Sequence, residues 1–147
     1  MFLSDRLKIR KNVQPKEEPA PDISNKILLV DDDPGIHALY TGQLSELAEV
    51  IPAFDGMTAV RLYEEHNPKV IVLDIMLPQK SGFLVFERIR QRRKQGEPPY
   101  VLMITRLEGR RHRQYAEALG VDEYLQKPVR LERLTALVKL YLEKEDV

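Results

Sequence analysis

Three continuous apolar runs most strongly constrain how this chain can fold. They are KILLV at 26–30, VIVLD at 70–74 and YVLMIT at 100–105. Apolar runs of this length, bounded by turn signals, are typical of strands that are buried on both faces, as in a parallel sheet. Such a strand needs helices on either side of the sheet, so the chain is expected to be an α/β protein.

Between and after these runs, apolar side chains recur at intervals of three and four residues, which predicts five helices. The apolar residues that mark the helices are Leu39, Leu44 and Leu47; Ala59, Leu62 and Tyr63; Phe83, Phe86 and Ile89; Tyr115, Ala118 and Leu119; and Leu131, Leu134, Leu137, Val138 and Tyr141. Asp33 and Pro34 predict the start of the first helix, and Gly120 the end of the fourth. Two weaker strands, near Glu49–Ala53 and Glu123–Leu125, complete five strand–helix units with right-handed crossovers.

The N-terminal residues 1–25 differ in composition from the remainder of the chain. They are rich in proline and charge and poor in large apolar groups, which predicts a flexible extension. The first ten residues, MFLSDRLKIR, alternatively predict a short amphipathic segment that docks on a partner or on the protein itself. The folded domain is expected over residues 26–143, with a C-terminal tail over 144–147.

Composition excludes several kinds of site. The 23 basic and 23 acidic residues cancel, so net charge gives no argument for binding to nucleic acid or membranes. The chain has no cysteine, which excludes disulfides and thiolate metal sites and fits a cytoplasmic location. No apolar run approaches the roughly 20 residues that a membrane-spanning helix needs.

Polar residues follow the predicted strands at the ends that should meet at one edge of the sheet. Asp31 and Asp32 follow the first strand, Asp74 and Thr105 end the two later apolar runs, and Lys127 follows the last strand. Because sites in open α/β sheets form outside the carboxyl ends of the strands, these side chains are expected to converge.

The converging groups suit phosphoryl transfer assisted by a divalent cation. Two carboxylates 4 Å apart repel each other by roughly 4 kcal/mol at an effective dielectric of 20, and one lysine cannot neutralise three of them. Mg²⁺ or Mn²⁺ prefers such oxygen ligands. Phosphoryl transfer needs a nucleophile, for which Asp74 is the candidate, and groups that bind the phosphoryl oxygens, for which Lys127 and Thr105 are the candidates.

Four motifs resemble those of response-regulator receiver domains, in order and in approximate spacing. They are ILLVDDDP at 27–34, VIVLDIMLPQKSG at 70–82, VLMIT at 101–105 and DEYLQKPV at 122–129. The resemblance covers residues 26–143. It implies a flavodoxin-like (βα)5 fold, a doubly wound parallel sheet with strand order 2-1-3-4-5.

The resemblance also implies roles for individual residues around a magnesium ion. Asp31 and Asp32 would form the acidic pair that holds the ion, with Asp32 the more direct ligand. Asp74 would be both the phosphoacceptor and a ligand. Met76 would contribute its backbone carbonyl.

A second set of roles concerns the conformational switch. The resemblance implies that the Thr105 hydroxyl moves toward the phosphoryl group, that Tyr124 then turns inward, and that Lys127 binds the phosphoryl group. The bond before Pro128 is expected to be cis. Arg106 departs from the family, in which the residue after the switch hydroxyl is usually small; its cation either covers the phosphoryl group, as a gate, or points to solvent.

The resemblance implies a signalling protein that is phosphorylated on Asp74 by a histidine kinase or a phosphotransfer protein. It would assist its own phosphorylation and dephosphorylation, but would not be an enzyme with turnover. Because the sequence ends shortly after the fifth helix, we expect a stand-alone response regulator or a phosphorelay intermediate that contacts an unidentified downstream protein.

Two other functions remain open. One is an interaction module that is independent of phosphorylation and docks through its N-terminal segment and basic helix faces. The other is a magnesium-dependent phosphatase of the haloacid dehalogenase class, since Asp31-Asp32-Asp33 contains the D-x-D pattern of that class. The residue that follows the pattern, Pro34, does not fit it.

Basic runs at 88–95 and 109–115 predict either solvated helix faces or a surface for an acidic partner. Nucleic-acid binding is not expected, because no motif that reads DNA or RNA is present. Arg111 and Leu137 stand where the receiver dimer face would have an acid and an arginine, which leaves at most a weak dimer. The histidines lack metal-ligand spacing and are expected to be ordinary surface or helix residues: His37, His66 and His112.

Overall fold

The computed structural model describes residues 22–145, in which five strands alternate with five helices. The strands are β1 (Ser24–Val30), β2 (Glu49–Ala53), β3 (Pro68–Asp74), β4 (Tyr100–Thr105) and β5 (Glu123–Gln126), and the helices are α1 (Pro34–Leu44), α2 (Gly56–His66), α3 (Gly82–Arg90), α4 (Arg110–Leu119) and α5 (Leu131–Leu142). All strand pairs are parallel, in the order β2-β1-β3-β4-β5. This is the predicted flavodoxin-like α/β fold with the predicted strand order.

The three apolar runs form the three central strands, β1, β3 and β4. In register, Leu28 lies opposite Ile71, which in turn lies opposite Val101, and all three side chains are fully buried. Because positions 27–30, 70–74 and 100–105 are all buried, the apolar runs of these strands are continuous and do not alternate with polar residues. The sequence pattern therefore reflects burial on both faces.

The core consists of two layers, one on each face of the sheet. On one face, Leu28, Ile71 and Met103 pack with Phe86 of α3, in a cluster that also includes buried residues of α2 and α4. On the other, residues including Leu102 pack with Leu134, in a cluster formed with α1 and α5. Neighbouring strand residues point to opposite faces, so each strand contributes to both layers.

Three helix boundaries follow from local chemistry that the sequence shows. The Asp33 side chain accepts a hydrogen bond from the Gly35 N–H at 2.8 Å, and Pro34 begins α1, as predicted. Gly120 ends α4 in the left-handed conformation, with φ of 94°, again as predicted. Ser81 caps α3 through a hydrogen bond from the Leu84 N–H.

Three of the apolar residues that marked the predicted helices are exposed and so do not face the core: Leu39, Tyr115 and Ala118. Leu39 is 56% exposed and Tyr115 is 49% exposed. In α1 the buried stripe contains His37 and Tyr40, and in α4 it contains the small Ala116. The apolar pattern misled because both helices carry large apolar groups outside their buried faces.

The ends of the domain differ slightly from the expected boundaries. β1 begins at Ser24, two residues before the predicted start of the folded domain at 26. Most of the predicted N-terminal extension, including its possible docking segment, lies outside the described residues, as do residues 146 and 147 of the predicted C-terminal tail. No helix among residues 22–145 is long and apolar enough to cross a membrane.

Arg93, which belongs to the first basic run, is buried. Its guanidinium lies 2.8 Å from the Asp122 carboxylate and donates to the backbone oxygens of Pro99 and Gly120, each at 2.7 Å. The Asp122 carboxylate in turn accepts a hydrogen bond from the Val101 N–H. Arg93 therefore joins the segment before β4 to the segment before β5, and is not part of a solvated face.

Candidate functional site

The predicted acidic residues meet at the carboxyl edge of the sheet. Asp31 follows β1, and Asp74 is the last residue of the neighbouring strand β3. These two side chains are buried, whereas Asp32 is exposed. One carboxylate oxygen from each residue lies within 4.8 Å of the other two. The three carboxylates therefore form one cluster, here called the acidic cluster, which is open to solvent at Asp32.

Lys127 reaches the acidic cluster from the end of β5. Its Nζ lies 2.8 Å from Asp31 Oδ2 and 3.0 Å from Asp74 Oδ2. The parallel pairing of β4 and β5 positions it, because the Lys127 N–H donates to the Thr105 carbonyl at 2.7 Å. One ammonium group thus joins two carboxylates that are distant in sequence.

Burial and the ion pairs have opposite effects on the pKa values of Asp74 and Lys127. Burial raises the pKa of the Asp74 carboxyl above its ordinary value, while hydrogen bonds from Lys127 and the Met76 N–H oppose the rise. Burial also lowers the pKa of Lys127, but its hydrogen bonds to Asp31 and Asp74 outweigh this effect and raise it overall. Lys127 is therefore protonated in the site at neutral pH.

Backbone groups orient two of the carboxylates. The Asp33 N–H donates to Asp31 Oδ1 at 2.9 Å, and the Met76 N–H donates to Asp74 Oδ1 at 3.0 Å. Gly82, at the start of α3, packs directly against the end of β3: a Cβ at this position would lie 2.3 Å from the Asp74 carbonyl oxygen. Close packing of α3 therefore helps to define the backbone that carries Asp74.

The acidic cluster fits a hard divalent cation. Its donors are all oxygens, and three carboxylates against one ammonium leave two excess negative charges when all are ionised. Mg²⁺ and Mn²⁺ favour such oxygen ligands, and Mg²⁺ retains several waters, which the exposed side at Asp32 would admit. The described contact of Met76 is through its N–H, so ligation by its carbonyl stays a prediction.

Thr105 lies beside the acidic cluster, as predicted. It ends β4, where it follows Ile104, the residue opposite Asp74 in the sheet, and its side chain is fully buried. Thr105 Oγ1 accepts a hydrogen bond from the Leu107 N–H at 3.0 Å. The hydroxyl proton therefore remains available for donation to another oxygen.

The four strand ends thus carry the side chains that the sequence motifs predicted, and comparison with known families identifies the chain. The family model of the response regulator receiver domain matches residues 27–139. The chain belongs to this family.

Among curated proteins, this receiver domain is similar to two bacterial regulators. It is 37% identical over 123 residues to the DNA-binding dual master transcriptional regulator RpaA of Synechocystis, covering 82% of this chain and 50% of RpaA. It is 35% identical over 119 residues to the transcriptional regulatory protein CiaR of Streptococcus pneumoniae, covering 81% of this chain and 52% of CiaR. The chain therefore spans about half the length of these relatives.

Solved receiver domains share the fold over their whole length. The non-phosphorylated HemR receiver domain of Leptospira biflexa superposes with a TM-score of 0.75 at 26% identity, covering 84% of this chain and 98% of that one. The BeF3-activated receiver domain of DrrB, a Thermotoga maritima protein, gives a TM-score of 0.73 at 32% identity, covering 83% and 100%. The likeness to solved receiver domains therefore covers the complete domain and not only the sequence motifs.

Tyr124, the predicted switch aromatic of the receiver domain, is buried in the core layer that contains α4. Its hydroxyl has no hydrogen-bond partner among the described residues. Burial raises its pKa, and Arg113, whose guanidinium carbon lies 5.0 Å from the ring centroid, opposes the rise. The ring thus connects the core to the surface of α4, while its movement on phosphorylation stays a prediction.

Arg106 of the receiver domain is exposed and lies near Lys127, which pairs with the acidic cluster. Together with Lys127, Leu39 and Tyr40 it lines a cavity of about 350 Å³. Its guanidinium forms no hydrogen bond or ion pair within residues 22–145. The side chain is therefore free to adopt either of the two expected positions, and its gating role stays a prediction.

His37, expected to be an ordinary surface or helix residue, lies in α1 but not at the surface. It is buried, and its Nε2 lies 2.7 Å from the Asp31 carbonyl oxygen. Its ring packs on Phe54 with a centroid distance of 4.1 Å. The spacing of His37, Tyr40 and Leu44 at three and four residues was a signal for this burial, which the choice of Leu39 obscured.

Proposed function

We propose that this receiver domain accepts a phosphoryl group on Asp74 from the phosphohistidine of a histidine kinase or phosphotransfer protein. The observation that carries the proposal is the ion pairing of Lys127 with both Asp31 and Asp74, beside an exposed third carboxylate, Asp32. A lysine that joins two carboxylates here provides a cation where the phosphoryl oxygens would lie. Structural stability alone does not require three carboxylates at this edge.

The transfer is a displacement at phosphorus. An Asp74 carboxylate oxygen attacks the phosphorus atom, a P–O bond forms, and the P–N bond to the donor imidazole breaks with its electron pair on nitrogen. Lys127 and the Thr105 hydroxyl donate hydrogen bonds to the phosphoryl oxygens. A divalent cation bound by Asp31, Asp32 and Asp74 supplies charge neutralisation for this displacement.

Phosphorylation then changes the charge balance that the structure shows. The phosphoryl group adds about two negative charges, which attract Lys127 and Thr105 toward it. We infer that these movements alter the surface near α4 and Tyr124 and so change the affinity for a protein partner. We propose that the domain acts in the cytoplasm, as a response regulator or a phosphorelay intermediate.

Intact-mass spectrometry after incubation with an acyl phosphate and Mg²⁺ tests the phosphorylation. We expect one added phosphoryl group on the wild type and none on Asp74→Asn, because the amide lacks a nucleophilic carboxylate oxygen. Asp55→Asn is the matched control. Asp55 caps α2 at the same edge of the sheet, and asparagine retains the cap, so phosphorylation should persist.

Removal of the metal provides the second arm. Chelation of divalent cations should abolish the added mass on the wild type and on Asp55→Asn, since the carboxylate repulsion is then uncompensated. Addition of phosphate to Asp74→Asn would place the phosphoacceptor elsewhere. Failure of the wild type to accept phosphate with Mg²⁺ present would support an interaction module that is independent of phosphorylation.

A further inference from the structure

Asp32 differs from the other two carboxylates of the acidic cluster in what holds it. The Asp31 and Asp74 side chains each accept a hydrogen bond from a backbone N–H and another from Lys127. The Asp32 carboxylate is exposed and forms no hydrogen bond or ion pair within residues 22–145. Its position relative to the other two carboxylates therefore depends on the backbone that carries it.

The backbone that leads into Asp32 is held by the His37 ring. The Asp31 carbonyl and the Asp32 N–H belong to one planar peptide group, so a bond to the carbonyl orients the whole plane. His37 Nε2 lies 2.7 Å from this carbonyl oxygen. Because a carbonyl oxygen can only accept, Nε2 carries the proton and donates. The ring thereby sets the direction in which the chain enters Asp32.

The Asp31 carbonyl lies just beyond the paired part of β1. The pairings of β1 with both of its neighbours end at Val30, and Asp31, the next residue, is fully buried. The Asp31 N–H still donates to the Ala53 carbonyl at 3.1 Å. A buried carbonyl also requires a donor, and His37 supplies it from the first turns of α1.

The His37 ring is fixed on its own account. Phe54, in the segment between β2 and α2, packs on it with ring centroids 4.1 Å apart and planes inclined at 34°. The Nδ1 atom is buried and has no hydrogen-bond partner among the described residues. An unpaired buried nitrogen opposes stability, so a histidine here is better explained by the bond that Nε2 donates than by packing.

We propose that His37 is a positioning residue for the cation site. By holding the Asp31–Asp32 peptide, it directs the Asp32 carboxylate toward the divalent cation that Asp31 and Asp74 also bind. His37 is not itself a ligand, since it lies outside the group of side chains whose donor atoms are within 4.8 Å of one another. The inference rests on the proposed function only in requiring that the acidic cluster binds a cation.

This role affects cation binding more than the phosphoryl transfer itself. Asp74 and Lys127 keep their own hydrogen bonds when the His37 bond is lost. A cation present in excess then draws Asp32 into place without help from the ring. Loss of the His37 bond therefore raises the cation concentration that is needed, and leaves the rate at saturating cation unchanged.

The test compares two substitutions of His37. His37→Leu removes the donor and keeps an apolar side chain. His37→Gln keeps an N–H donor, because its Nε2 is as many bonds from the backbone as the Nε2 of histidine. Tyr141→Phe is the matched control: it removes a hydrogen bond of 2.9 Å to Glu123, at the start of β5 and the opposite edge of the sheet. Circular dichroism verifies that each variant folds.

Electron paramagnetic resonance of free Mn²⁺ measures the affinity of each protein for the cation. We expect His37→Leu to bind Mn²⁺ about tenfold more weakly than wild type, as is typical when a group that orients a ligand is lost. His37→Gln and Tyr141→Phe should bind as wild type does. Equal affinities of His37→Leu and wild type would overturn the role of His37.

Two other results would also overturn it. Equal loss of affinity in His37→Gln and His37→Leu would show an effect of packing, and equal loss in Tyr141→Phe an effect of general stability. If His37→Leu does not fold, Phe54→Ala replaces it, since Phe54 is 43% exposed and its loss frees the ring. That variant should bind Mn²⁺ several-fold more weakly, and unchanged binding would refute the proposal.

Phosphorylation by an acyl phosphate over a series of Mg²⁺ concentrations gives a second readout. His37→Leu should need about tenfold more Mg²⁺ for half its limiting rate, with that limiting rate unchanged. A lower limiting rate with an unchanged Mg²⁺ requirement would contradict the proposal. Absence of Mn²⁺ binding by wild type would overturn both the cation site and the role of His37. Weaker Mn²⁺ binding by His37→Leu, without phosphorylation of any protein, would support this role and refute the proposed function.

Discussion

At the scale of single residues, Lys127 determines the character of the acidic cluster. It lies within 3.0 Å of both Asp31 and Asp74, so the two buried carboxylates are neutralised only in part. The remaining negative charge faces solvent through Asp32. A site of this kind attracts a cation before it attracts a phosphoryl group, which is why the metal and the phosphodonor are expected to act together.

Arg106 is the residue whose effect on the chemistry is easiest to isolate, because it is exposed and forms no hydrogen bond or ion pair with another of the described residues. If its cation covers the phosphoryl group, the Arg106→Ala variant should change the rate of phosphoaspartate hydrolysis by admitting water and removing a positive charge. The decay of the phosphorylated species, followed by intact mass, measures this rate.

Arg92→Ala is the matched control for this measurement. Arg92 is also exposed, but it lies beyond the end of α3, outside the acidic cluster and the cavity that Arg106 lines. Its phosphoaspartate should decay as in the wild type. Identical decay rates for Arg106→Ala and wild type would show that the side chain points to solvent.

At the scale of elements, the contact between α3 and the end of β3 is the one that places Asp74. Gly82 begins α3, its N–H donates to the Ile75 carbonyl at 2.8 Å, and a Cβ would overlap the backbone of Asp74. We expect Gly82→Ala to displace this backbone. The cost is about 1–3 kcal/mol of unfolding free energy, as for an overpacked core, with slower phosphorylation.

Gly42→Ala in α1 is the matched control, since a Cβ there meets no atom within 4 Å. Alanine in a helix is favoured over glycine by roughly 0.5–1 kcal/mol, so this variant should be more stable than wild type. Urea unfolding measures both free energies. A Gly82→Ala variant as stable and as readily phosphorylated as Gly42→Ala would refute the packing argument.

At the scale of the whole molecule, the Arg93–Asp122 ion pair fixes the segment after α3 to the segments that lead into β4 and β5. The guanidinium reaches the backbone before β4 and the backbone after α4, while the carboxylate binds the Val101 N–H. Removing one partner of a buried pair leaves the other uncompensated, which typically costs about 3–5 kcal/mol. We expect Arg93→Ala to be destabilised by this amount at neutral pH.

The loss of unfolding free energy in Arg93→Ala should be smaller in acid than at neutral pH. Burial raises the pKa of Asp122 above its ordinary value of 3.8, and Arg93 opposes the rise. Without Arg93 the folded-state pKa rises further. A raised folded-state pKa stabilises the protein at pH values below the pKa of Asp122 in the unfolded chain. This stabilisation is lost as the pH rises through the pKa of Asp122 in the folded protein. Arg93→Ala should therefore be least destabilised, relative to wild type, in acid.

Chemical unfolding of both proteins over a pH series measures this difference. Arg90→Ala is the control, because Arg90 pairs with Glu87 at the surface and its loss should cost at most about 1 kcal/mol. A difference between Arg93→Ala and wild type that is constant from acid to neutral pH would show that Asp122 is not the uncompensated group.

The five strand–helix units, the strand order and the convergence of Asp31, Asp74, Thr105 and Lys127 could be predicted from the sequence alone. Burial on both faces of a parallel strand leaves a continuous apolar run, and the polar residue after each run marks an edge of the sheet. The receiver motifs added the order of the strands. Strands, helices and the polar residues at strand ends each depend on residues that are close together in the sequence, so the sequence pattern predicts them.

Only the tertiary structure decided which charged groups are neutralised. Nothing near Arg93 in sequence indicates that Asp122 will pair with it, and nothing near Arg113 indicates that it will lie over Tyr124. The same holds for His37, whose burial depends on packing between α1 and the loop after β2. Ion pairs and ring contacts between residues distant in sequence depend on how the helices pack, and packing leaves no local pattern in the chain.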